Sequence, residues 1–228
     1  MSVTLQLNRL RDALPPEVDL VAVSKLQDLS AIQEAYDAGQ RMFGENRVQE
    51  LLLKYGRLPN DIQWHFIGHL QLNKVKYIAP FIDTVQSADS LRLLNELNKY
   101  AGKYDRRIQT LLQAHIAQEE HKFGFLFDEI EDLLRNKLLD SFVHLKIAGL
   151  MGMATWTEDK LQIRKEFSSL SAFFSKLKNQ YFAENDDFKV LSMGMSDDYP
   201  IAVEEGSTMV RIGSKIFGPR KNKDENTF

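Results

Sequence analysis

The chain has no cysteine. That single absence excludes disulfides, thiolate metal sites and a cysteine nucleophile together, and it makes a cytoplasmic location the simplest expectation. A strong charge of one sign is also missing. The net charge is −3 over 228 residues, so no basic field invites nucleic acid. No apolar run approaches membrane-spanning length. Residues 1–14 are charged and amphipathic and lack the apolar core of a secretion signal. No glycine-rich dinucleotide fingerprint follows the first apolar run, and no break in composition marks a second domain. What remains is an ordinary globular composition, long enough for one large domain with a full core.

The apolar residues alternate between two periods. Leu5, Leu7, Leu10 and Leu14 punctuate a first helix, which stops at Pro15 and Pro16. Residues 21–25 (VAVSK) then read as a strand buried on both faces that ends in a lysine. Helical spacing over 30–38 closes at Gly39, a suitable residue just past a helix end. Further strands are expected over 41–46, 62–68, 82–87, 108–116, 145–153, 189–193 and 208–213, with helical segments between them. The longest helix, 157–181, carries Leu161, Phe167, Leu170, Phe173, Phe174 and Leu177 on its apolar face. Eight alternating units in little over 200 residues predict a single (β/α)8 barrel with an extra N-terminal helix. An open doubly wound sheet is the alternative. The barrel domain is expected over 1–220, with a polar frayed tail at 221–228.

In such a barrel, chemistry collects at the carboxyl ends of the strands. Those ends supply Lys25, Asn46, His65 with Gly68, Ser87, His115, Met153, Ser196, and Arg211 with Gly213. A lysine at the end of a buried strand is half desolvated, which disfavours its ammonium form and frees a nucleophilic amine. The bland reading is a lysine that snorkels to solvent. The last two strands exit into Gly-Met-Ser (194–196) and Gly-Ser (213–214), small residues that let backbone N–H groups and hydroxyls approach a phosphate. Arg211, between Val210 and Ile212, needs a partner. That partner is either a structural carboxylate such as Glu45 or Asp197, or an anionic or nitrogen-bearing cofactor. His65 and His69 are four apart but share no helical face, so no metal site is expected there. His115 reads as a hydrogen-bonded histidine, and Met151, Met153, Met193 and Met195 as packing rather than ligands. A lysine nucleophile and a phosphate cradle on one face suggest a carbonyl cofactor that bears phosphate, and pyridoxal 5′-phosphate fits both.

Several segments then match a known family. They are AVSK (22–25), AGQRMFGENRVQE (38–50), WHFIGHLQLNK (64–74), KFGF (122–125), GLM (149–151), SMGMSDD (192–198) and GSTMVRIGSKIFG (206–218). In this order they resemble the pyridoxal phosphate homeostasis proteins, the YggS-type or proline-synthetase co-transcribed family. The resemblance implies a barrel similar to the N-terminal domain of alanine racemase and a Schiff base between pyridoxal 5′-phosphate and Lys25. It implies phosphate contacts near Ser196 and around Arg211, Gly213 and Ser214, with Arg211 also a neighbour of the pyridine nitrogen. It places Asn46 and His65 in the pocket lining. The implied role is cofactor homeostasis with little or no turnover, in a monomer whose partners are the cofactor and apo-enzymes that need it. An amino-acid racemase is the alternative function. Racemisation needs a second acid–base group opposite Lys25. The tyrosine that supplies it in alanine racemase comes from a second domain, for which this sequence has no residues after the eighth strand. His115 is the nearest substitute the sequence offers.

Overall fold

Buried strand runs and amphipathic helices can satisfy each other only in layers, and the chain builds two concentric ones. The computed structural model describes residues 2–119 and 123–218. The N-terminal helix α1 (Val3–Ala13) is capped by the Ser2 hydroxyl, which accepts from the N–H of Leu5. The strands are β1 (Asp19–Val23), β2 (Met42–Glu45), β3 (Gln63–Phe66), β4 (Thr84–Ala88), β5 (Ile108–Gln113), β6 (Leu145–Met151), β7 (Val190–Ser192) and β8 (Met209–Ile212). All pair in parallel in chain order, and β8 returns to β1, so the sheet closes into a barrel without an edge. The connecting helices are α2 (Leu29–Asp37), α3 (Val48–Tyr55), α4 (Val75–Ile78), α5 (Leu91–Lys103), α6 (Phe127–Arg135), α7 (Lys160–Tyr181), α8 (Tyr199–Glu204) and α9 (Ser214–Phe217). Among the described residues no helix is long and apolar enough to cross a membrane. The tail expected at 221–228 lies outside the described residues.

Strand alternation assigns the two cores. Leu20, Ala22, Trp64, Phe66, Val210 and Ile212 face outward and pack with the helices in one continuous cluster. Val21, Leu111, Ala148, Met151, Val190 and Met209 face inward and form a separate plug. The inward positions nearer the strand exits are polar: His65, Gln86, Gln113, Ser192 and Arg211 are all buried there. In β6, pairing with β5 slips by one residue between Ile147 and Gly149. At this bulge Gly149 has φ +152°, and a Cβ would lie 1.8 Å from the Val190 carbonyl oxygen, so only glycine fits.

Strand boundaries are tighter than the apolar runs. β1 ends at Val23, and Lys25 stands two residues beyond it in a turn. Leu161 does not join the buried face of α7. The helix starts at Lys160 after the Asp159 cap, and its buried stripe runs through Ile163, Phe167, Leu170, Phe173, Phe174 and Leu177. Two positions before Ile163 is about 200° around the axis, so Leu161 points to solvent and is 80% exposed.

Candidate functional site

The strand-exit end of the barrel holds a cavity of about 460 Å³, lined from every strand exit except that of β4 and within the usual size of a small-molecule site. Lys25, Asn46, Ser196, Arg211, Gly213 and Ser214 all line it. Arg211 arrives there by alternation along β8, and the other five stand just past the ends of β1, β2, β7 and β8. Val23 is the inward residue after Val21, and Arg211 the one after Met209. Lys25 follows β1 in a turn closed by a hydrogen bond from the Gln27 N–H to the Ser24 carbonyl at 3.1 Å.

At the exit of β7, Gly194 takes φ +95°, where a Cβ would press on Ala202 and Tyr199. The Met195 N–H then donates to the Asp198 carboxylate at 2.5 Å, which shapes the loop carrying Ser196. The Ser196 hydroxyl accepts from the Gly213 N–H at 3.3 Å, so the two exit loops are tied together. Gly213 passes close to β1: a Cβ there would meet the Val23 carbonyl oxygen at 3.1 Å. Ser214 opens the short helix α9, whose first N–H groups have no carbonyl partner within the helix.

Arg211 is the buried cation of the cavity wall. Neither Glu45 nor Asp197 holds it, contrary to the structural alternative. Glu45 faces outward against α3, where Lys54 takes it. Arg211 instead donates to the Ser192 hydroxyl at 2.6 Å and to the Gly152 carbonyl at 3.0 Å. Burial lowers its pKa to about 10, against the pull of Asp198, so it stays charged near neutral pH. Ser192 passes the orientation on, donating to Gln86 Oε1 at 2.7 Å. The Gln86 amide nitrogen in turn donates to His65 Nδ1 at 2.8 Å. With Nδ1 accepting, the imidazole carries its proton on Nε2.

This chain corrects the expectation for His65. Its side chain does not line the cavity. It lies one alternation step below Ile67, which does, and it is fully enclosed in the barrel. Burial drives its pKa down to about 4. His115 also stays off the main cavity and meets the Glu119 carbonyl at 3.1 Å. The imidazole on the cavity wall is that of His69, which bonds Asp89 at 2.7 Å and stacks on Phe123. Met153 and Met195 line the cavity, while Met151 and Met193 are packed inside.

A closed parallel barrel with a lysine just past β1 and small residues at the exits of β7 and β8 defines a class. It is the alanine racemase N-terminal domain, whose family model matches residues 3–221. Within it, the chain belongs to the pyridoxal phosphate homeostasis proteins. It is 38% identical to the one from Pasteurella multocida over 206 residues, 89% of this chain and 87% of that one. It is 37% identical to the one from Aquifex aeolicus over 203 residues, with the same coverage. Among solved structures, PipY of Synechococcus elongatus with PLP bound superposes with a TM-score of 0.86 at 36% identity, over 95% of this chain and 100% of that one. Alanine racemase from Clostridium difficile shares the fold at a TM-score of 0.76 and 14% identity. It matches over 98% of this chain but 57% of its own length.

Proposed function

We propose that this protein binds pyridoxal 5′-phosphate in the cavity at the strand exits, as a Schiff base on Lys25, and serves the cell's handling of that cofactor with little or no turnover. One observation carries the reading. A single cavity gathers an amine at Lys25, a buried guanidinium at Arg211 with no carboxylate ion pair among the described residues, and the Ser196, Gly213 and Ser214 cluster. That donor set fits the cofactor, since it offers one nucleophile and otherwise hydrogen-bond donors suited to an anion or a ring nitrogen. The close pass of Gly213 over β1 keeps side-chain bulk out of the exit loops. The membership of the homeostasis family and the PLP-bound relative point the same way.

The cofactor brings an aldehyde, which condenses with a primary amine to a carbon–nitrogen double bond with loss of water. The protein's part is to hold Lys25 at the cavity, to place Arg211 through Ser192 and Gln86, and to bind the phosphate with Ser196, Ser214 and the neighbouring backbone. Asn46 completes the wall beside Lys25. The racemase alternative needs a proton donor facing Lys25. Among the described residues lining the cavity there is no tyrosine to take that role. The proposed handling includes transfer to apo-enzymes, by a monomer in the cytoplasm.

Borohydride reduction of the protein loaded with pyridoxal 5′-phosphate, followed by peptide mapping, should place the adduct on Lys25. An adduct confined to another lysine refutes the assignment. Racemisation or transamination of common amino acids at about 1 per second or faster, lost in Lys25→Ala, would replace the carrier reading with an enzyme.

A further inference from the structure

We propose that Glu50 and Lys54 of α3 are positioning residues for Lys25, clamping the peptide groups on both sides of it. The proposal rests on the reading of Lys25 as the residue that captures the cofactor. Lys25 is the second residue of the turn over 24–27, and the third, Leu26, has φ +61°. Such a value in a turn is the province of Gly or Asn, and a leucine there is strained. Something must hold it.

The holding groups come from α3. The Leu26 N–H donates to Glu50 Oε2 at 2.8 Å, and Lys54 Nζ donates to the Ser24 carbonyl at 2.8 Å. Glu50 and Lys54 are one turn apart on α3 and 3.5 Å from each other. Lys54 is anchored in turn by Glu45 Oε1 at 2.7 Å, and the same oxygen accepts from the Ser24 hydroxyl at 2.5 Å. The Ser24 N–H bonds the Gly44 carbonyl at 3.0 Å. The residues before and after Lys25 are therefore both tied to the β2–α3 unit.

Net stability is a poor explanation for this cluster. A buried ion pair rarely stabilises more than apolar packing of the same volume. Here Glu45 is fully enclosed, and its Oε2 has no hydrogen-bond partner among the described residues. An ionic cluster of this kind around a left-handed leucine is better explained by what it fixes. Lysine carries its amine on four methylenes, so a small tilt of the backbone becomes a large displacement of Nζ. Misplacement by about 1 Å can slow a reaction on the order of 100-fold.

The test measures how fast the borohydride-trappable adduct forms on Lys25 after addition of pyridoxal 5′-phosphate. Glu50→Ala should slow it by about tenfold. Glu50→Gln, which keeps an acceptor for the Leu26 N–H, should restore most of the rate. Lys54→Met should resemble Glu50→Ala. Should Lys54→Met fail to fold, the Glu50 pair decides the matter, because that side chain sits at the outer edge of the cluster. In a Lys25→Ala background, Glu50→Ala should leave the non-covalent affinity for pyridoxal 5′-phosphate unchanged, as a pocket-wide disturbance would not. On the cofactor-free protein, hydrogen exchange at the Leu26 amide should quicken in Glu50→Ala and not in Glu50→Gln. A folded Glu50→Ala protein that forms the adduct at the parent rate overturns the clamp alone. So does an equal loss of affinity in the Lys25→Ala background. Absence of any adduct at Lys25 in the parent overturns the Schiff-base reading, and the clamp with it.

Discussion

Acid should weaken this fold through His65. The imidazole is enclosed in the barrel, and its pKa is lowered to about 4 by burial from an ordinary value of 6.5. The folded pKa thus lies below the unfolded one. Between the two, the unfolded chain binds more protons than the folded chain, so stability falls as pH falls. The contribution is fully present above about 6.5 and is lost as pH drops toward 4. At about 1.36 kcal/mol per pH unit the whole displacement is worth about 3 kcal/mol, of which roughly 2.5 kcal/mol is gone by about pH 4.5. The comparison protein is His65→Asn, which keeps an acceptor for the Gln86 amide and does not titrate. Urea denaturation of both proteins at several pH values from about 7 to about 4.5 supplies the assay. Glu45, whose pKa burial raises, contributes with the opposite sign, but it is common to both proteins and cancels in the difference. The parent should lose about 2 kcal/mol or more beyond what the variant loses over that range. Equal losses would mean that His65 titrates normally and is not sealed in the barrel.

Other substitutions probe the bulge, the exit loops and the relay. Gly149→Ala puts a Cβ 1.8 Å from the Val190 carbonyl oxygen and should cost more than about 3 kcal/mol in the same denaturation assay. Gly213→Val crowds the Val23 carbonyl at 3.1 Å, a backbone atom that cannot swing aside, and should weaken pyridoxal 5′-phosphate binding in a direct titration while thermal unfolding stays cooperative. Arg211→Met removes the donor to the Gly152 carbonyl and one of the two partners of the Ser192 hydroxyl. Besides reducing cofactor affinity, it should lower stability by about 1–3 kcal/mol, the usual result of stranding buried acceptors.

The architecture could be read from the chain because it is a local property repeated eight times. Each apolar run of strand length was followed by a helical period, and closure was the way to bury both faces of every strand. What misled was length. Residues 21–25 look like one strand, yet pairing stops at Val23: the Ser24 N–H still reaches Gly44 of β2, but the Ser24 carbonyl and the Leu26 N–H are taken by the α3 side chains Lys54 and Glu50 rather than by a neighbouring strand. Leu161 looks like core because it is apolar and near the start of α7, but it lies about 200° around the axis from Ile163 wherever the helix begins, so it falls off the buried stripe.

The cavity residues were legible for a related reason. In a parallel barrel every strand exit faces the same side, so a list of strand ends is already a list of neighbours. Six of the seven residues expected to contact the cofactor line one cavity, whereas Ser87 and His115 of the strand-end list do not. His65 does not, because a strand end in the sequence fixes its position along the barrel axis only to within one alternation step. The support beneath the cavity was harder to see. Ser192 and Gln86 meet across 106 residues of sequence, and no spacing rule links them. Their one signal is a polar side chain at an inward position of a buried strand, which must find a partner inside the barrel. Glu50 and Lys54 were visible as a helical pair four apart, but such pairs are ordinary on solvent-facing helices. What separates this pair from an ordinary one is Glu45, an acid at the outward face of a strand end directly under α3. A carboxylate buried there must have a cation, and the lysine one helix turn past Glu50 is the side chain within reach.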